Sequence, residues 1–145
     1  MTSSSFSELA LDDDLSVIRG LEEAQIWDLQ RPAPLEVHAS FRPASATHEL
    51  FLVVLRWSEY PDQAPSVKFR DPESHRDDVP HAWPNARGVR APLDICANYT
   101  AEGFALHQEW RTDPNFRWQP DGNVLLKVLR ILQDELDQTY TGRAG

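Results

Sequence analysis

Between Asp14 and Leu29, the apolar residues Leu15, Ile18 and Leu21 recur at helical spacing, with Val17, Ala24 and Trp27 widening the stripe. That pattern predicts a helix with one buried face. Asp14 is placed to cap its start, where a short polar side chain accepts a first-turn N–H. Asp12 and Asp13 then lie at the positive end of the helix dipole, and Pro32 and Pro34 stop the helix. Residues 1–8 are expected to be a flexible lead-in.

The period then changes to two. Leu35, Val37, Ala39 and Phe41 alternate with Glu36, His38 and Ser40, which predicts a strand with one apolar face. A second strand is expected over Leu50–Trp57, apolar on both faces at its start and therefore central. Tyr60–Pro65 breaks it, because proline cannot donate to a ladder. A third strand follows over Ser66–Arg70. Short connections make an antiparallel meander the simplest topology.

From Asp71 to Pro120 no period holds, and this stretch carries six of the eleven prolines. Irregular stretches this long tend to be functional. Regular spacing returns at the end, where Val124, Leu125, Val128, Leu129, Leu132 and Leu136 form one face of a helix. Helix, meander, helix predicts an α+β fold in a single domain spanning residues 1–145.

Composition narrows the partners. The formal charge is −9 and the isoelectric point near 4.9, which disfavours nucleic acid and anionic membrane surfaces. Residues 1–30 hold seven acids against Arg19 alone, six of the nine net charges. The start carries no basic residues leading into an apolar stretch, and Cys96 is the sole cysteine, so a reducing cytoplasm is expected. Only two of the fourteen basic residues are lysine, Lys68 and Lys127.

Five short motifs stand in a particular order: Tyr60-Pro61-Asp62-Gln63-Ala64-Pro65, Val67-Lys68-Phe69, Trp83-Pro84-Asn85, Ile95-Cys96 and Arg117-Trp118-Gln119-Pro120, before the last helix. In this order they resemble the ubiquitin-conjugating enzymes, which carry Tyr-Pro-x-x-Pro-Pro, Val-x-Phe, His-Pro-Asn, Ile-Cys and Arg-Trp-x-Pro. The resemblance covers roughly residues 10–140. It implies the fold of that family, with an N-terminal helix, an antiparallel meander, a long active-site loop and a C-terminal helix packed on the sheet. Four departures fit a compact bacterial member with its own ubiquitin-like protein. Trp83 stands in the histidine slot. Asn85 lies eleven residues before Cys96, a few more than is usual. Cys96 and Trp118 are 22 residues apart, which implies an insertion of about a dozen. One helix follows the Trp-x-Pro motif, where the family carries two more.

The resemblance implies that Cys96 accepts a ubiquitin-like protein as a thioester and passes it to an amine. It makes Asn85 the amide donor to the oxyanion of the aminolysis intermediate. His81 and Asp94 are auxiliary candidates, Asn98 is a substitute for Asn85, and His107 is a further polar neighbour. The implied partners are an adenylating activating enzyme, the ubiquitin-like protein and a protein substrate. No metal or organic cofactor is expected, since ATP is consumed upstream. An acidic first helix then calls for a basic face on the activating enzyme, and few lysines would limit self-modification.

The residues alone leave alternatives open. A lone cysteine is often a packing group, and Asn85 suits a Pro-Asn-x-x-Gly turn before Gly88. Cys96 with His107 would serve a cysteine hydrolase, and His75, His81, Cys96 and His107 would serve zinc, although their spacing lacks close ligand pairs. A non-catalytic binding module on the same frame is the main rival.

Overall fold

Leu11, Leu15 and Ile18 lie on one helical face, and all three are buried. They belong to α1, which runs Ser3–Arg19 in the computed structural model, whose described residues are 3–145. The helix therefore starts well before the expected Asp14 cap. Its buried face extends back through Leu11 to Ser7, whose hydroxyl accepts the N–H of Tyr60 at 3.0 Å. Asp12, Asp13 and Asp14 sit within the helix, not at its positive end. Residues 3–8, expected to be flexible, are its first turns; Met1 and Thr2 lie outside the described residues. The helix ends before Gly20, and Glu22–Trp27 continues as a 3-10 helix closed by Asp28 in the left-handed region (φ 45°).

The sheet has four antiparallel strands in sequential order: β1 (Gln30–Ala33), β2 (Glu36–Phe41), β3 (Phe51–Arg56) and β4 (Ser66–Arg70). The expected meander is present, extended by an edge strand that Pro32 and Pro34 concealed. Pro32 is tolerated in β1 because an edge strand has one side without a ladder. The register aligns Val37 with Leu55, Ala39 with Val53 and Phe41 with Phe51, then Leu55 with Val67 and Val53 with Phe69. These eight side chains share one face and are buried.

Helix α3 (Val124–Thr139) joins α1 and that sheet face in one apolar cluster. Its expected face is buried as read, and full burial of each leucine contributes roughly 1.5–3 kcal/mol. Asn123 caps it, accepting Leu126 N–H at 3.1 Å and donating to Asp14 O at 3.0 Å.

The stretch Asp71–Pro120 is less irregular than its sequence. It contains a 3-10 turn (Pro80–Ala82), the two-residue strands β5 (Val89–Arg90) and β6 (Asp94–Ile95) paired as a hairpin, α2 (Ala101–Leu106) and a 3-10 turn over Gln108–Arg111. Trp83 is fully buried against Phe69, with ring centroids 5.2 Å apart, and donates to Asp77 O. The tryptophan in the histidine slot is thus a core residue. Among the described residues, no helix is long and apolar enough to cross a membrane.

Candidate functional site

Cys96 follows β6 directly and is half-buried. Its N–H donates to Gly88 O at 2.8 Å, so the β5–β6 hairpin folds the chain between Gly88 and Cys96 back on itself. Asn85 lies three residues before Gly88, outside this hairpin. Gly88 has φ +82°, and a Cβ there would come within 3.1 Å of Cys96 O. Glycine meets both demands, the left-handed backbone and the close approach.

The other side of the cysteine turn rests on α2. Thr100 is fully buried, and its hydroxyl donates to Ile95 O at 2.6 Å while accepting Gly103 N–H at 3.0 Å. It thereby caps α2 and ties the residue before Cys96 to it. Gly103 lies so close to Ala97 that an added Cβ would stand 2.0 Å from Ala97 O. Glu102 fastens α2 to β4, accepting Ser66 Oγ at 2.5 Å and Val67 N–H at 3.1 Å. The backbone on both sides of Cys96 is fixed by neighbours in the hairpin, in α2 and, through Glu102, in the sheet.

The candidate auxiliaries fall into separate pairings. Asp94 gives both oxygens to Arg90 at 2.8 Å, and that guanidinium, with Lys68 beyond it, holds the carboxyl below its ordinary range despite partial burial. A carboxylate so held is a weak base, which argues against proton abstraction by Asp94. His81 points to solvent beside Asp71, with Nε2–Oδ1 3.7 Å. His107 pairs with Glu109 through Nδ1 at 3.0 Å and stacks on Trp110 at 4.2 Å. Asn98 donates to Phe116 O at 3.3 Å. His75 pairs with Arg70 at 2.6 Å. Among the described residues, no three His, Cys, Asp or Glu side chains gather as a metal site would require.

Asn85 is exposed, and its backbone and amide face the segment after α3. Asn85 N–H donates to Gly142 O at 2.7 Å, Thr141 N–H donates to Asn85 O at 2.9 Å, and Nδ2 donates to Arg143 O at 3.2 Å. One of the two amide hydrogens is thus engaged. Next to it, Arg87 N–H donates to Thr139 Oγ1 at 2.9 Å, and its guanidinium forks onto Glu135. The Trp-x-Pro motif is divided: Trp118 is half-buried and donates to Pro61 O at 2.9 Å, whereas Pro120 is exposed.

Both lysines are tethered to carbonyls, Lys68 Nζ to Leu93 O at 2.5 Å and Lys127 Nζ to Gln119 O at 2.6 Å. Thr100 and Gly103, which the motifs did not single out, carry a local signal, a cap residue followed three positions on by glycine. Arg143 carried no local signal, because it acts through partners brought near by folding, whereas Arg90 has its partner Asp94 four residues on. No protein-family model and no curated protein matches the chain.

Proposed function

We propose that the chain is a ubiquitin-conjugating-type transferase with the fold of that family. Cys96 Sγ attacks the thioester carbonyl carbon presented by an activating enzyme. A new C–S bond forms, the old one breaks, and the cysteine proton passes to the departing thiol. A target amine then attacks the Cys96 thioester, a C–N bond forms, the C–S bond breaks, Cys96 leaves as thiolate, and the amine proton passes to water. Asn85 donates its remaining amide hydrogen to the oxyanion, a role in which loss of one donor typically costs about 10²–10³ in rate. ATP is consumed at the activating enzyme. Asp13, exposed on α1, favours a basic docking face on that partner, whereas Asp12 beside it is paired with Arg31.

The observation that carries this reading is the backbone turn at Cys96, braced by Gly88, Thr100 and Gly103, with no side-chain base on the sulfur among the described residues. Transfer between thioesters asks for a positioned thiol more than for an adjacent general base. The test is incubation with a cognate activating enzyme, ATP and ubiquitin-like protein. Wild type should form a thiol-sensitive adduct and Cys96→Ser a stable ester; an equal adduct on Cys96→Ala would defeat the reading.

A second reading, a non-catalytic binding module, is favoured by a cleft of about 270 Å³ that the inserted segment forms. Phe104 and Arg111 face Asp62, Gln63 and Trp118 across it. In that case Cys96→Ala leaves partner binding unchanged and no adduct forms on wild type.

A further inference from the structure

Asn85 is exposed, yet its N–H, its C=O and its side-chain amide are all bonded to three consecutive residues, Thr141, Gly142 and Arg143. The segment that makes these bonds is anchored mainly by one side chain. Arg143 Nε donates to Glu49 at 2.7 Å, Nη1 to His81 O at 2.8 Å and Nη2 to Leu50 O at 2.8 Å. Its guanidinium carbon stands 4.2 Å over the Phe51 ring. Ala144, buried beside it, donates its N–H to Trp83 O at 2.9 Å. Gly142 has φ +128°, a backbone geometry that lets its carbonyl reach Asn85 while the next side chain turns to the sheet.

The geometry points to Arg143 as a positioning residue for Asn85, an inference that rests on the transferase reading above. A planar fork fixed on a carboxylate and two carbonyls holds its own backbone in place. The Arg143 carbonyl then fixes the rotation of the Asn85 amide by taking one of its two hydrogens. The second hydrogen has no partner among the described residues. When an amine attacks the Cys96 thioester, negative charge forms on the carbonyl oxygen and that hydrogen meets it. The C–S bond then breaks, Cys96 leaves as thiolate, and the amine proton passes to water. A donor already oriented stabilises this charge without reorganising, whereas a misplacement of about 1 Å can cost up to 10²-fold.

The test uses the full chain, wild type, Arg143→Ala, Asn85→Ala and the double variant, charged as thioesters and discharged to free lysine. Exchange of the Asn85 side-chain amide is followed by NMR. Arg143→Ala should slow discharge at saturating lysine about 10-fold, leave charging and the KM for lysine within about twofold, and speed the amide exchange. In the Asn85→Ala background the same change should have little further effect on discharge. Arg143→Lys keeps the charge for Glu49 and loses the fork, and covers the case in which Arg143→Ala unfolds. Unaltered exchange at Asn85, or independent effects that multiply in the double variant, would overturn the inference alone. Failure of wild type to charge would overturn the transferase reading, and the catalytic half of this inference with it; the exchange measurement would still show whether Arg143 fixes Asn85.

Discussion

The Tyr60 hydroxyl donates to the Asp14 carboxylate and accepts the N–H of Leu125 at 2.9 Å, joining α1, the loop after β3 and the first turn of α3 at one buried oxygen. Burial, then the Asp14 carboxylate, pushes the phenol well above its ordinary range, so it stays a neutral donor. Tyr60→Phe keeps the edge contact with Trp57, at 5.0 Å, but leaves Leu125 N–H and Asp14 without this partner. The expected loss is about 1–3 kcal/mol in urea unfolding, with an unchanged denaturant slope.

Gly103→Ala should be among the most damaging single-methyl additions in the chain. The new Cβ would meet Ala97 backbone atoms, which cannot swing aside as a flexible side chain would. Overpacking of this kind costs roughly 1–3 kcal/mol. Because the displaced residue adjoins Cys96, charging should fall at least about tenfold at temperatures where the variant remains folded. Gly122→Ala, at a position with nothing within 4 Å, should leave charging unchanged, although its φ of +73° will lower stability.

The Asp94–Arg90 pair sets an expectation for acid. With the folded pKa held below the unfolded value, the carboxylate contributes stability above the unfolded pKa, and that contribution is lost as pH falls through the folded pKa. The difference in unfolding free energy between wild type and Asp94→Asn should therefore be constant from pH 5 to 7 and shrink below about pH 4. A difference that grows on acidification would show that the carboxyl is not held in its charged form.

Periodicity made the frame legible. The β4 boundaries and the buried face of α3 follow from the spacing of Val67 and Phe69 and of Val124 through Leu136, since one-sided burial imposes a period. The start of α1 was misplaced because Asp12, Asp13 and Asp14 look like a cap, although Leu11 already belongs to the same stripe. Strand β1 was hidden by its prolines, which an edge strand tolerates. In the site, Cys96 and Asn85 could be named from motif order, but neither the β5–β6 hairpin between them nor the Arg143 anchor could be. The anchor depends on Glu49, Leu50 and His81, remote in sequence, for which one chain supplies no signal, while the hairpin is local but its two-residue strands are too short to show a period. Arg90 claims the Asp94 carboxylate, and Glu109 and Trp110 engage the His107 ring, all from within four residues, so these pairings were open to the sequence.

Tethering of both lysines bears on self-modification. Each ammonium is held by a carbonyl, and neither is a freely moving amine. An exposed lysine beside the cysteine, Asn98→Lys, should raise self-conjugation several-fold over wild type, read as an adduct that survives thiol treatment. Lys68→Arg should leave the level unchanged. No rise with Asn98→Lys would remove protection from self-transfer as an account of the low lysine count.

The close approach of Gly103 to Ala97, with the bonds made by Thr100 and Glu102, converts into a sequence pattern: Cys-x-x-x-Thr-x-Glu-Gly, from Cys96 to Gly103. Each fixed position answers a separate geometric demand, so the pattern describes the turn and not an ancestry. It would pick out distant chains that brace a cysteine in the same way after their flanking motifs have drifted, and the letter to watch in them is the glycine.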